Sequence, residues 1–166
     1  MLFVKHGSTL FLKIAVIFIG LPVLALCIFA LPQLASVAIA EAVKGAKLGY
    51  VIVGLLVVMY VSVLPFYFAL YQAFRLLTYI DKNQAFSELS VGALKKIKTY
   101  ALSISGLYVI ALPLVYIIAE WDDAPGLILI GLVMVGASMV IAVFAAVLQK
   151  LLKDAIDIKS ENDLTV

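Results

Sequence analysis

Residues 48–64 read LGYVIVGLLVVMYVSVL, and this run decides the fold. It does not alternate apolar with polar residues, as a membrane-barrel strand would. Nor does it carry the polar face of a water-soluble amphipathic helix. Continued to Phe74 it is long enough to cross a bilayer, since a hydrocarbon core about 30 Å thick needs roughly 20 residues at a 1.5 Å rise. Three further stretches share its character: about Ile14 to Leu31 before it, then about Tyr100 to Ala119 and about Pro125 to Leu148. None of the four holds an Asp, Glu, Lys or Arg, each of which would cost about 2.5–3.5 kcal/mol at mid-membrane. The expected fold is all-α, a single-domain integral membrane four-helix bundle with short amphipathic cytoplasmic helical extensions.

The whole chain agrees with that reading. Its 166 residues are 66% hydrophobic and 13% charged, against about 45–50% and about 25% in soluble domains. A soluble fold of this size could not bury the surplus, which excludes a secreted disulfide scaffold, a disordered tail and a nucleic-acid-binding domain. A net charge of +2 is too small to indicate a polyanionic partner, so no direct nucleic-acid contact is expected. The lone Cys27 permits neither an internal disulfide nor a cysteine metal cluster, and is expected to pack as a small buried hydrophobe. Of the twelve Lys and Arg residues, ten fall on the cytoplasmic side if both termini lie inside, as the positive-inside rule expects. Lys44 and Lys47 are the exceptions. Glu120, Asp122 and Asp123 then face outward, with Trp121 placed as an interfacial anchor. Ala38-Ile39-Ala40 resembles a signal-cleavage site, but the apolar stretch before it exceeds the usual 7–15 residues. Span one is therefore read as retained, with the segment from Gln33 to Lys47 as an outer loop.

Two segments lie outside the spans, 75–99 and 149–166. Span two is expected to run past Arg75 and stop near Asp81-Lys82-Asn83, Asn83 serving as a left-handed cap. A new helix should begin at Ser87, its hydroxyl accepting an orphan backbone N–H. This helix either lies on the membrane surface or leads directly into span three. Leu89, Ala93, Leu94 and Ile97 share one side of it at helical spacing. In the tail, Leu148, Leu151, Leu152, Ala155 and Ile156 form a stripe at i, i+3, i+4, i+7 and i+8, opposite Lys150, Lys153, Asp154 and Asp157. Span four should therefore continue about two turns past the membrane, with residues 160–166 frayed.

No catalytic constellation is visible. The only histidine, His6, sits in the N-terminal tail, and the acidic loop 120–123 reads as a solvated outer turn, so no metal and no cofactor is expected. The interior offers Ser62, Ser103, Ser105 and Ser138 but no ionisable group, which disfavours an ion-coupled carrier. Leu21-Pro22, Leu64-Pro65 and Leu112-Pro113 read as ordinary membrane-helix prolines. Small residues every four positions, Ser138, Ala142 and Ala146 on span four and Ala101 with Ser105 on span three, let helices approach closely. Packing within the chain is the default, and a homo-oligomer is left open.

The stretches GSTLFLKIAVIFIGLPVLALC, FALYQAFRLLTYIDKNQAFSELSVGALKKIK, DDAPGLILIGL and AAVLQKLLKDAIDIKSENDLTV resemble a bacterial family of small four-span membrane proteins, domain of unknown function 2975. The similarity runs from about Gly7 to Val166. It implies a multi-pass protein of the bacterial plasma membrane, often encoded beside a small helix-turn-helix regulator, with no known activity or catalytic residues. The expectation is a non-enzymatic membrane sensor or anchor that holds a cytosolic partner, that regulator being the candidate. Phe86, Leu89, Leu94 and Ile97, with Leu151, Leu152, Ala155 and Ile156, are the partner-binding candidates. The alternative is a small transporter or channel-like subunit with a water-filled path lined by Ser62, Ser103 and Ser138.

Overall fold

The computed structural model describes residues 2–164, with side chains from residue 7 onward; the His6 side chain, Thr165 and Val166 lie outside the described residues. Of the described residues, 92% are helical. Helix α1 (Leu2–Ala25) passes through a π-helical turn (Leu26–Ala30) into α2 (Leu31–Val43), followed by α3 (Lys47–Asp81), α4 (Glu88–Trp121) and α5 (Gly126–Leu164). The expected outer loop at Gln33–Lys47 is instead mostly helix α2, and only residues 44–46 form the turn. The π-turn accompanies Pro32 at the start of α2. A proline there offers no N–H to the preceding turn, and the Leu31 N–H reaches back five residues to the Leu26 carbonyl. The loosened turn is stitched from outside: the Tyr60 hydroxyl donates to the Cys27 carbonyl at 3.3 Å, as lipid-embedded backbone requires.

The three hairpin turns end their helices in one way. Gly45, Asn83 and Asp123 take positive φ values of 86°, 59° and 51°. In each, the next N–H reaches back five residues: Ala46 to Glu41, Gln84 to Tyr79 and Ala124 to Ala119. This is the Schellman arrangement, which satisfies the last carbonyls of a helix. Asn83 thus caps α3 as its sequence position predicts. Ser87 does precede α4 with extended backbone, yet it makes no side-chain cap bond. Its hydroxyl donates to the Gln84 carbonyl, which Ser90 also engages at 3.1 Å. The 88–99 segment runs straight into span three.

Extensive packing occurs between α1–α2 and α3, between α3 and α4, and between α4 and α5. The bundle is therefore a row of antiparallel helices, open between α1–α2 and α5. Small residues set the close approaches. A Cβ on Gly49 would lie 2.4 Å from the Ala42 backbone nitrogen, and one on Gly131 2.9 Å from Leu112. Ala101 and Ser105 on α4 and Ser138, Ala142 and Ala145 on α5 are all buried between helices that pack together, and the Ser105 hydroxyl reaches the Val135 carbonyl at 3.4 Å. The small-residue pattern thus joins helices within the chain, with Ala145 more buried than Ala146.

Only 11–22% of residues in the most apolar window of each span are buried. The remainder, such as Phe18 and Phe29, face outward and need a hydrocarbon solvent. The polar ends match a bilayer in thickness: α3 covers about 32 Å between Tyr50 and Tyr71, and α4 about 33 Å between Lys98 and Glu120. Trp121 closes α4, exposed at that boundary. Helix α5, with 39 residues, is about 58 Å long and continues about 21 Å beyond Lys150. It stays helical through Leu164, so residues 160–164 are an exposed helix end where the sequence predicts fraying.

Candidate functional site

The gap between α1–α2 and α5 is an apolar groove at mid-membrane. A cavity of about 190 Å³ is bordered by Val23, Cys27, Met59, Ser62, Tyr108 and Met134, among others. A second, of about 360 Å³, continues toward the Trp121 end past Val115, Leu127 and Ile130. The two share Met59, Tyr108 and Met134, so they form one furrow floored by α3 and α4. Cys27, expected to be buried, is half-buried in its wall. Ser62 and Tyr108 form the polar feature of the floor, with their hydroxyls 3.1 Å apart. The single Ser62 proton goes to the Met59 carbonyl at 2.7 Å, so Tyr108 donates to Ser62. Both protons are spent internally, leaving a furrow suited to an apolar occupant.

The three serines of the transport alternative do not converge. Ser62 borders the furrow, whereas Ser103 lies on another face beside Phe68 and Tyr100 and donates to the Thr99 carbonyl. Ser138 donates to the Met134 and Val135 carbonyls where α4 meets α5. Among the described residues, no three His, Cys, Asp or Glu side chains gather to hold a metal ion.

The bundle end that carries both termini has its own polar cluster, which reading the sequence did not reveal. Thr9 and Lys13 stand one helical turn apart on α1 and therefore share a face. Both meet Asp81, the last residue of α3: Lys13 Nζ lies 2.7 Å from Asp81 Oδ2, and the Thr9 hydroxyl donates to the other carboxylate oxygen. Lys13 also sits 5.3 Å from the centre of the Phe74 ring, within cation–π range. A carboxylate at a helix C-terminus faces the negative end of the helix dipole; the lysine and hydroxyl offset that cost. Nearly two turns deeper along α3, Arg75 lies between the Tyr71 and Tyr79 rings, 5.8 and 5.6 Å from their centres. It marks the depth at which this end leaves the apolar slab.

The candidate partner-binding residues separate into two sets. Phe86 and Leu89 are 59% and 51% exposed at the α3–α4 turn, and Leu151 is 60% exposed on α5. Leu94, by contrast, is 6% exposed, because its face of α4 packs inside the bundle; it is not available to a partner. Ile97, Leu152, Ala155 and Ile156 are half-buried. On α5 the buried line runs Gly131, Ser138, Ala142 and Ala145, and Leu152 and Ile156 extend it at the same heptad spacing. They turn toward the bundle. The exposed apolar line is one residue earlier in register and includes Leu148, Leu151 and Ile158. The single amphipathic stripe of the sequence is thus two stripes, one already covered and one bare.

Comparison with known proteins places the chain without assigning it an activity. Residues 9–166 match the family described as protein of unknown function, DUF2975. An uncharacterized membrane protein, YoaS, of Bacillus subtilis (strain 168) is 61% identical over 159 residues, spanning 96% of this chain and 98% of its own length. No solved structure matches the chain. A match over nearly the whole chain, carried by the same four apolar helices described above, leads to one conclusion: the chain belongs to the DUF2975 family of membrane proteins of unknown function.

Proposed function

We propose that this protein is a non-enzymatic membrane sensor or anchor, seated in the bacterial plasma membrane with both termini in the cytoplasm. Its terminal end holds a soluble partner, for which a helix-turn-helix regulator is the candidate. The observation that carries the reading is the continuation of α3, α4 and α5 past the apolar slab as unbroken helices, with Phe86 and Leu89 left exposed at their tip. Two exposed large apolar side chains three residues apart, outside the bilayer, are the kind of surface that marks an interaction site. Ten of the twelve basic residues belong to this end, which supports a cytoplasmic placement.

The unbroken α5 also gives the sensor half of the proposal a physical route. Met134 in the furrow and Leu164 at the tip of α5 are about 45 Å apart along one helix. A change in furrow occupancy that tilts α5 by about 5° would move the tip by about 4 Å, enough to make or break a side-chain contact. The test is site-specific crosslinking in intact cells, comparing the parent with Phe86→Asp/Leu89→Asp. Recovery of one soluble protein from the parent and its loss from the variant supports the reading. Equal recovery from both, with the variant still inserted, removes Phe86 and Leu89 from the docking surface.

A further inference from the structure

We propose that the bare stripe of α5 is a self-association seam, occupied by the same stripe of a second copy in a parallel, two-fold pair. The seam runs Ile141, Phe144, Leu148, Leu151, Ala155 and Ile158. These residues alternate steps of three and four, the a/d pattern of a two-stranded coiled coil. All are exposed except half-buried Ala155. Within the slab such exposure needs only lipid. Leu151 and Ile158, however, lie beyond Lys150 on the stretch that leaves the bilayer, where an apolar face is costly unless covered.

Charge selects the occupant. With Leu148 and Ala155 at a, and Leu151 and Ile158 at d, Asp154 takes position g and Lys159 the e position of the following heptad. In a parallel pair, g of one helix faces e of the next heptad on its neighbour. Asp154 would therefore meet Lys159 of the second copy, and by symmetry the pairing forms twice. Neither residue makes an ion pair within its own chain among the described residues. Two copies inserted with one orientation present α5 in parallel without rearrangement. The seam is distinct from Phe86 and Leu89 and does not depend on their having a partner.

The experiment uses the full chain in native membranes, with Cys27→Ala as background and single cysteines at Leu151, Ile158 or Lys153, treated with a short thiol-to-thiol crosslinker. Leu151→Cys and Ile158→Cys should give crosslinked dimers, whereas Lys153→Cys, on the far side of the helix, should give at least several-fold less. Asp154→Lys in the Leu151→Cys chain should lower the dimer fraction several-fold, and adding Lys159→Asp should restore it. Equal crosslinking at all three positions overturns the proposal, as does its absence at both seam positions in inserted protein. Failure of the double charge exchange to restore dimer overturns the parallel register.

Discussion

Replacing Lys13 with Met, Asp81 with Asn, and both together isolates the contact that ties the start of α1 to the end of α3. The charged atoms are 2.7 Å apart and the two side chains are 20% and 19% exposed. At an effective dielectric near 20, unit charges about 3 Å apart attract by about 5.5 kcal/mol before desolvation is charged against them. Fully exposed pairs retain about 0.2–1 kcal/mol, while breaking a fully buried pair costs about 3–5 kcal/mol. A pair one-fifth exposed falls between, and a coupling of about 1.5–2 kcal/mol is expected. Asp81→Asn should be the costlier single change, because it leaves Lys13 facing Phe74 with its carboxylate partner gone and weakens the acceptor for Thr9. Reversible unfolding in mixed micelles, followed by helical circular dichroism, yields the coupling from the double-mutant cycle. A coupling below about 0.3 kcal/mol, or an Asp81→Asn cost no larger than that of Asp157→Asn on the exposed tail, would mean that the pair holds α1 to α3 no better than an exposed one.

Four further outcomes are expected. Gly49→Ala places a Cβ within 2.9 Å of three backbone atoms of Glu41 and Ala42; α2 and α3 must part, and a loss of about 1–3 kcal/mol is expected in the same unfolding assay. Asp123→Gly relieves a left-handed residue with φ of 51° and should stabilise by about 0.5–1 kcal/mol, whereas Gly45→Ala at φ of 86° should destabilise by about 1–2 kcal/mol. For orientation, a membrane-impermeant thiol reagent should label Asp122→Cys in intact cells and Lys82→Cys only after permeabilisation, both on the Cys27→Ala background. The reverse pattern would invert the topology.

What was legible in the sequence was what local rules encode. The four spans follow from apolar length, the stop of α3 from Asn83 tolerating positive φ, and the internal helix joints from small residues at four-residue spacing. Length alone did not fix the extent of span one, because Gln33, Ser36 and Glu41 resemble a loop yet sit on the exposed side of a helix whose Leu31, Ala38 and Ala42 are buried. Ser87 marks the start of α4 from sequence, but its hydroxyl bonds a nearer group, the Gln84 carbonyl, and not the helix N–H that a cap engages. The Lys13–Asp81 contact spans 68 residues of sequence, and no periodicity points to it. The furrow depends on which helices fail to touch, which is a tertiary property. The stripe on α5 was visible, but its division into a covered and a bare line, one residue apart in register, needed the position of α4.

Docking of a soluble cytoplasmic protein at the terminal end can be read with a photoreactive residue at Phe86 in intact cells. A single dominant adduct with one soluble protein is expected, abolished by Leu89→Asp while membrane insertion persists. Adducts confined to lipid, to the protein itself or to other membrane proteins would contradict such docking.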